Sequence, residues 1–505
     1  MAAGLFIDYF LLTHKVLRFL ASLYREIIFL DEFMKLDEYS SYDGLGLAEL
    51  IRKKDVTSIE LIELAVNGAN GLNGKLNAIL EIFVDRLQKR SSDLVTSTGL
   101  FQGVPFLLKD SGAGEFGRKQ EMGSHLCAGN HVGETGYIIE KFLQSGMVSL
   151  GRTAVPEFCM SYSTESPVHG VTRNPWDLAY SAGGSSGGSC ASVSSGIVPI
   201  AHGNDSAGSI RMPASCCNLV GLKPSRGRTS IGPGESDFPS GLNTEFAVTK
   251  TIRDCAALLD VAEGPGIDEV RTLAAPKDSY LSSINLTLPR LKVAVCLKSL
   301  INQPIHDEVY SVVKNSAKLL EELGHVVDED YYDFNYSEFQ YHDCNYLSAF
   351  TAANVRRLGK GDKGCDVNKL DTLNKWFYDQ GVNVGGVEVL AALDAYNGLR
   401  QKVNRFFNHY DVLITPTIMS LPEKLPIENT FHKWASSAQY LVPVNVAGNP
   451  AISLPLGVSK SGLPIGVQIV SRFGDEKTLL QLGRIFENRI PWNNRRPKVH
   501  VANIK

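Results

Sequence analysis

Three stretches carry residues able to attack or polarise a carbonyl group. Lys109 ends the apolar run GVPFLLKD (103–110). Ser185 and Ser186 lie in GGSSGGS (183–189), and Ser206 and Ser209 lie in GNDSAGSIR (203–211), between Asp205 and Arg211. A serine hydroxyl is a poor nucleophile until a positioned base takes its proton, and that base need not be histidine. A lysine serves when burial keeps part of its amine neutral. Each stretch also has an ordinary explanation: a lysine closing a strand is normally a solvated strand end, and a glycine-serine run has the composition of a flexible linker. The linker explanation fails on context, because GGSSGGS runs directly into the helix-like CASVSSGIV and then into PIAHG.

Other chemistries fit these stretches less well. A glycine-rich loop ahead of a helix can hold phosphate, but GxxxxGK[ST] is absent and Lys223 is followed by proline. GGSSG also satisfies the nucleophile-elbow pattern G-x-S-x-G, which makes Ser185 or Ser186 a nucleophile in need of a later acid and histidine. None of His306, His325, His342, His409 and His432 lies in a distinctive turn motif. The histidines form neither HExxH nor another paired spacing, so no metal and no other cofactor is expected. Nine cysteines, without CxxC, describe thiols of a reducing intracellular compartment rather than a disulfide framework. The adjacent Cys216 and Cys217 read as small packing residues.

The elements that must position these residues alternate between helix and strand. LAELIRKKDV reads as a helix, and the capping-box spacing of TSIE (57–60) opens another through LIELAVNGAN. GVPFLLKD is a short strand, and IIEKFLQSGMVSLGRTAVPEF reads as helix, glycine stop and strand. KVAVC, DVLITPT, NPAISLPLGV and PIGVQIV read as further strands, with a helix over VYSVVKNSAKLLEELG. Length alone suggests about three domains for 505 residues. No repeat or low-complexity linker divides the chain, so one large α/β domain with a mixed central sheet, helices on both faces, is expected over residues 36–505. With 44% apolar and 21% charged residues and a net charge of −4, the chain is globular and gives no reason to expect nucleic acid as a partner.

In this order, Lys109, Ser185 and Ser209 resemble the Ser-Ser-Lys triad of the amidase signature family. RTAVPEF, RNPWD, VGLKPSRGR, DVLITPT and NPAISLPLG continue the likeness from about residue 43 to the C-terminal strands, and the motifs are most similar to the cyclic-dimer hydrolase branch. The resemblance implies the family fold, a cis peptide bond before Ser185, and hydrolysis of a small-molecule amide. In that scheme Ser209 attacks, Ser185 relays protons, and Lys109 is the base. Ser206, Ala207 and Gly208 are then small so that successive N–H groups converge on the developing oxyanion, a preorganised stabilisation of about 3 kcal/mol per donor. Ser186, Asp205 and Arg211 support the turn. Most members have two glycines before the serine, whereas the first is Ala207 here, and alanine disfavours positive φ. A glutaminase component of a tRNA-dependent amidotransferase and a catalytically silent scaffold are the competing expectations. Members often pair, so a homodimer is also an expectation.

Residues 5–30 stand apart. Large apolar side chains are interrupted by Asp8, Lys15, Arg18, Ser22, Arg25 and Glu26, and the spacing of the first five, seven, three, four and three residues apart, puts them on one helical stripe. Five charges make a spanning helix expensive, and no clean apolar core follows a basic start as in a signal peptide. Residues 1–35 are therefore read as an amphipathic helical extension that lies on a membrane or packs on the domain or a second copy of the chain. Membrane contact favours a fatty acyl amide substrate.

Overall fold

The computed structural model describes residues 34–88, 99–233, 241–270, 272–301, 303–358, 365–427 and 436–504; the amphipathic helix read over residues 5–30 lies outside them. The first long helix, Ser58–Leu76, starts where its capping box requires. The Thr57 hydroxyl accepts from the Glu60 N–H, and the Glu60 carboxylate accepts from the Thr57 N–H at 2.6 Å. This satisfies two N–H groups that the first helical turn otherwise leaves unpaired.

Among the described residues eleven strands form one sheet, in the order β1, β3, β2, β6, β8, β7, β12, β13, β11, β9, β10. They are β1 (Ile79–Ile82), β2 (Pro105–Lys109), β3 (Val148–Thr153), β6 (Ile200–Asn204), β7 (Val220–Lys223) and β8 (Glu245–Thr249). The second half contributes β9 (Lys292–Val295), β10 (Val326–Glu329), β11 (Val412–Pro416), β12 (Ala451–Val458) and β13 (Pro464–Ser471). A separate two-stranded ribbon joins β4 (Glu165–Ser166) to β5 (Gly170–Val171). The sheet is mixed: β3, β2 and β6 run parallel, as do β11, β9 and β10, while antiparallel pairs link the strands between. Strands β2, β3, β6, β7, β8, β11 and β13 are buried at every residue. A strand buried along its whole length must be covered on both faces, so its polar members, such as Arg152 on β3, His202 and Asn204 on β6 and Glu245 on β8, need partners inside the fold.

This is the single large α/β domain expected from the sequence, and each strand named there is present. Cys216 and Cys217 are both buried in the core. Among the described residues no helix is long and apolar enough to cross a membrane, and no cluster of His, Cys, Asp and Glu side chains has the composition to hold a metal ion.

Candidate active site

The C-terminal end of β2 carries Lys109 into the interior, where 1% of the residue is exposed. Its Nζ donates to Ser185 Oγ at 2.7 Å and to Asn204 Oδ1 at 2.5 Å. Ser185 follows a cis Gly184–Ser185 peptide, and the helix Gly187–Ser194 begins two residues later. Gly188 lets that helix start against β3. A Cβ there would stand 2.5 Å from the Ala154 nitrogen, inside any real contact distance. Ser186 stands at the N-cap position of the same helix without a side-chain cap bond, and its N–H donates to the Ser209 carbonyl at 3.2 Å, which ties the two serine loops together.

Asn204 is held in a defined orientation. Its Nδ2 donates to the Ser111 carbonyl and to Glu245 Oε1, so its Oδ1 is the atom left to face Nζ. Glu245 stands opposite Asn204 in the β6–β8 pairing. The other Glu245 oxygen lies 2.7 Å from His202 Nε2, and His202 Nδ1 accepts the Lys109 backbone N–H at 3.3 Å. An accepting Nδ1 puts the ring proton on Nε2, where it donates to Glu245. A closed polar ring of Lys109, Asn204, Glu245 and His202 therefore lies beneath the serines. Sequence reasoning missed the last three. The signal was present in β6, where His202 and Asn204 recur at period two in an otherwise apolar buried strand.

The turn after β6 carries Ser206, Ala207, Gly208 and Ser209. Asp205 holds it by accepting from the N–H of Gly208 at 2.7 Å and of Ile210 at 3.2 Å. Arg211 grips the same carboxylate through Nε at 2.9 Å and Nη2 at 2.8 Å, with neither side chain exposed. Burial resists ionisation of Asp205, but the Arg211 guanidinium, with help from Lys223 and Asn445, holds its carboxyl well below the usual carboxylate range. Gln468 on β13 and Asn445 on the helix Val442–Ala447 complete the Arg211 contacts.

One oxyanion assignment needs correcting. The Gly208 N–H, expected to face the substrate, is taken by Asp205. The N–H groups of Ser206, Ala207 and Ser209 find no acceptor among the described residues. Ala207 does not have positive φ, so its replacement of a glycine costs no backbone strain. The left-handed position is Gly208, with φ of +116°, where a Cβ would come within 2.4 Å of Leu441.

Ser185, Ser206, Ala207 and Ser209 line a cavity of about 210 Å³ whose walls are mainly apolar. The loop after β2 supplies Ser111, Gly112 and Met122, and the segment SYSTES (161–166) supplies Ser161 and Tyr162. In the region from 325 to 440, HDCNYLSAF contributes Asp343, Leu347 and Phe350. The aromatics of YYDFNY do not line the cavity: Tyr331, Tyr332 and Tyr336 pack in the core, as does Phe377 of LNKWFYDQ.

Phe158 and Cys159 also line the cavity, and both have positive φ, at 49° and 61°. Such a pair persists only where its surroundings enforce it. Buried Glu157 anchors it, accepting from Ser124 Oγ at 2.6 Å and from the Asp371 N–H at 2.7 Å. Burial dominates over these hydrogen bonds and pushes the Glu157 carboxyl up to about 7 from its ordinary 4.5. Between those values the native chain binds the proton more tightly than the unfolded chain. The Glu157 contribution to stability is therefore full below pH 4.5 and is lost as pH rises through 7. The drop in urea midpoint from pH 5 to pH 7.5 is expected to be smaller in Glu157→Gln than in the native chain.

A mixed α/β sheet that carries buried serines and a buried lysine to the floor of an apolar cavity is the architecture of a hydrolase acting on carboxamide C–N bonds. The chain belongs to the amidase signature family: the Amidase family profile matches residues 60–480. It is 34% identical over 489 residues to 6-aminohexanoate-cyclic-dimer hydrolase of Pseudomonas sp. (strain NK87), covering 90% of this chain and 96% of that one. It is 30% identical over 479 residues to the lipoamidase of Enterococcus faecalis, with 89% of this chain and 64% of that one covered. A solved structure of 6-aminohexanoate cyclic dimer hydrolase complexed with substrate superposes with a TM-score of 0.85 at 31% identity, covering 91% of this chain and 99% of that one.

Proposed function

We propose that the chain hydrolyses small or medium-sized carboxamides, linear or cyclic, through an acyl-enzyme on Ser209. The observation that carries this reading is the buried Lys109 Nζ at 2.7 Å from Ser185 Oγ, directly behind the cavity that Ser209 lines. With the amine neutral, one N–H points at Asn204 Oδ1 and the lone pair is free to accept the Ser185 proton. Ser185 in turn takes the Ser209 proton as Ser209 Oγ bonds to the amide carbon. The carbonyl oxygen becomes an oxyanion that receives the N–H groups of Ser206, Ala207 and Ser209, the donors with no acceptor among the described residues. As the C–N bond breaks, Lys109 returns the proton through Ser185 to the leaving nitrogen. Water then enters, gives its proton along the same route, and cleaves the ester to carboxylic acid and free Ser209.

The apolar cavity suits an aliphatic acyl group or a ring, and the cyclic amide in the name of the cyclic-dimer hydrolase is a member of that class. Intact-mass analysis after treatment with a fluorophosphonate tests the mechanism. A single adduct on the GNDSAGSIR peptide supports it. Turnover of amides without any serine adduct, or an adduct on Ser185 in place of Ser209, overturns it.

A further inference from the structure

The cavity wall opposite the serines is one face of the long helix Tyr336–Leu358. Asp343, Leu347, Phe350, Asn354, Arg357 and Leu358 recur on it at steps of three and four, so the wall follows the helix axis for about 21 Å. Its two ends differ. Arg357 is exposed at one, whereas Asp343 is 3% exposed at the other. Among the described residues these are the only two Asp, Glu, Lys or Arg side chains lining the cavity.

Asp343 is an expensive residue to bury there. Its Oδ1 accepts the Tyr396 hydroxyl at 2.5 Å, and nothing among the described residues donates to Oδ2. Oδ2 is not sealed into the packed core either, so the little surface Asp343 retains opens on the cavity. Tyr162 lies beside it on the serine side, and the Tyr162 hydroxyl donates to the Ala207 carbonyl at 2.6 Å. The carboxyl is therefore deep and close to the reacting end, among tyrosine rings. An oxygen without a donor in such a place calls for one from the ligand. A charged N–H donor gains most, because its hydrogen bond is charge-assisted and aromatic faces also attract cations.

Resting on the amidase reading above, we propose that Asp343 is a specificity-determining residue that selects aliphatic substrates ending in a primary ammonium group. The methylene chain crosses the apolar cavity from Ser209 toward Asp343, and the ammonium donates to Oδ2. Neither part requires any change in the serines or in Lys109. Without a ligand, burial pushes the Asp343 carboxyl up to about 7, against the Tyr396 hydrogen bond, as expected of an acid lacking its counter-charge.

Calorimetric titration with hexylammonium chloride and with 1-hexanol tests the recognition without any chemistry. The native chain is expected to bind hexylammonium at least tenfold more tightly than hexanol, and Asp343→Asn to bring the two within twofold. A kinetic measurement reads the same contact: ω-aminoacyl p-nitroanilides of four to eight carbons, each against its alkyl isostere. The best amino substrate is expected to lead in kcat/KM by at least tenfold, through KM, and to lose that lead in Asp343→Asn. A ratio taken on one protein cancels any loss of folded enzyme. Equal binding of hexylammonium and hexanol, or a preference that survives Asp343→Asn, overturns the proposal. Hexylammonium binding that depends on Asp343, with neither anilide series hydrolysed and no serine adduct, upholds the recognition and removes the amidase reading.

Discussion

Ser209→Ala is expected to lower kcat for amide hydrolysis by about 10⁴- to 10⁶-fold and to abolish the fluorophosphonate adduct. On the proposed mechanism the loss is large because Ser209 supplies the bond to the acyl carbon. The activity that remains is the part the N–H donors and binding supply alone. The same substitution is nearly silent in the fold. The Ser209 hydroxyl makes no hydrogen bond to another side chain among the described residues, so its removal leaves no buried partner unsatisfied. Thermal denaturation should thus place Ser209→Ala beside the native chain. Lys109→Ala is different: it strips Asn204 Oδ1 and Ser185 of a donor and empties a buried volume, so activity and stability fall together. A Ser209→Ala protein that is stable and still forms an adduct would rule out Ser209 as the nucleophile.

Asp205→Ala is expected to destabilise the fold by about 3–5 kcal/mol, the range for breaking a buried ion pair from one side. Arg211 stays behind with no exposure and no counter-charge, and the N–H groups of Gly208 and Ile210 lose their acceptor. Gln468 and Asn445 offer Arg211 neutral oxygens only. Asp205→Asn should fall between, since it keeps one acceptor oxygen and loses the charge. Urea denaturation of the three proteins measures the order. A loss below about 1 kcal/mol for Asp205→Ala would mean that the turn does not depend on this carboxylate. Activity should fall with stability, because this carboxylate holds the turn that carries Ser206, Ala207 and Ser209 in shape.

Lys109, Ser185 and Ser209 were legible because each lies in a short local pattern: an apolar strand ending on a lysine, and two runs of small residues between strand and helix. Asp205 and Arg211 were legible for the same reason, being six residues apart around one turn. Gly208 shows the limit of such reading. Its place in the run suggested an N–H facing the substrate, but the direction of that N–H is set by an acceptor three residues earlier. Glu245 and Asp343 were out of reach for another reason. Glu245 meets Asn204 only because β8 pairs with β6, and Asp343 faces the same cavity as the serines only because a helix more than a hundred residues later crosses it. Neither partnership leaves a local pattern. Most of the aromatic side chains between 325 and 440 are core, the usual fate of aromatic side chains.

Most of the cavity lining comes from two pieces of chain with different obligations. The polar residues of the site, Lys109, Asn204, Asp205 and Arg211, are held in or against the sheet, where each polar contact answers another and a single change propagates. The helix Tyr336–Leu358 touches this assembly along one stripe, and its other faces pack on the helices Thr372–Gly381 and Gly386–Phe406. Diet and chemistry are thus written on separate parts. On the proposed function, exchanging stripe residues such as Leu347, Phe350 or Asn354 is expected to redirect the molecule toward a different amide while Lys109, Ser185 and Ser209 stay untouched, which makes this helix a natural place to evolve new substrate preference.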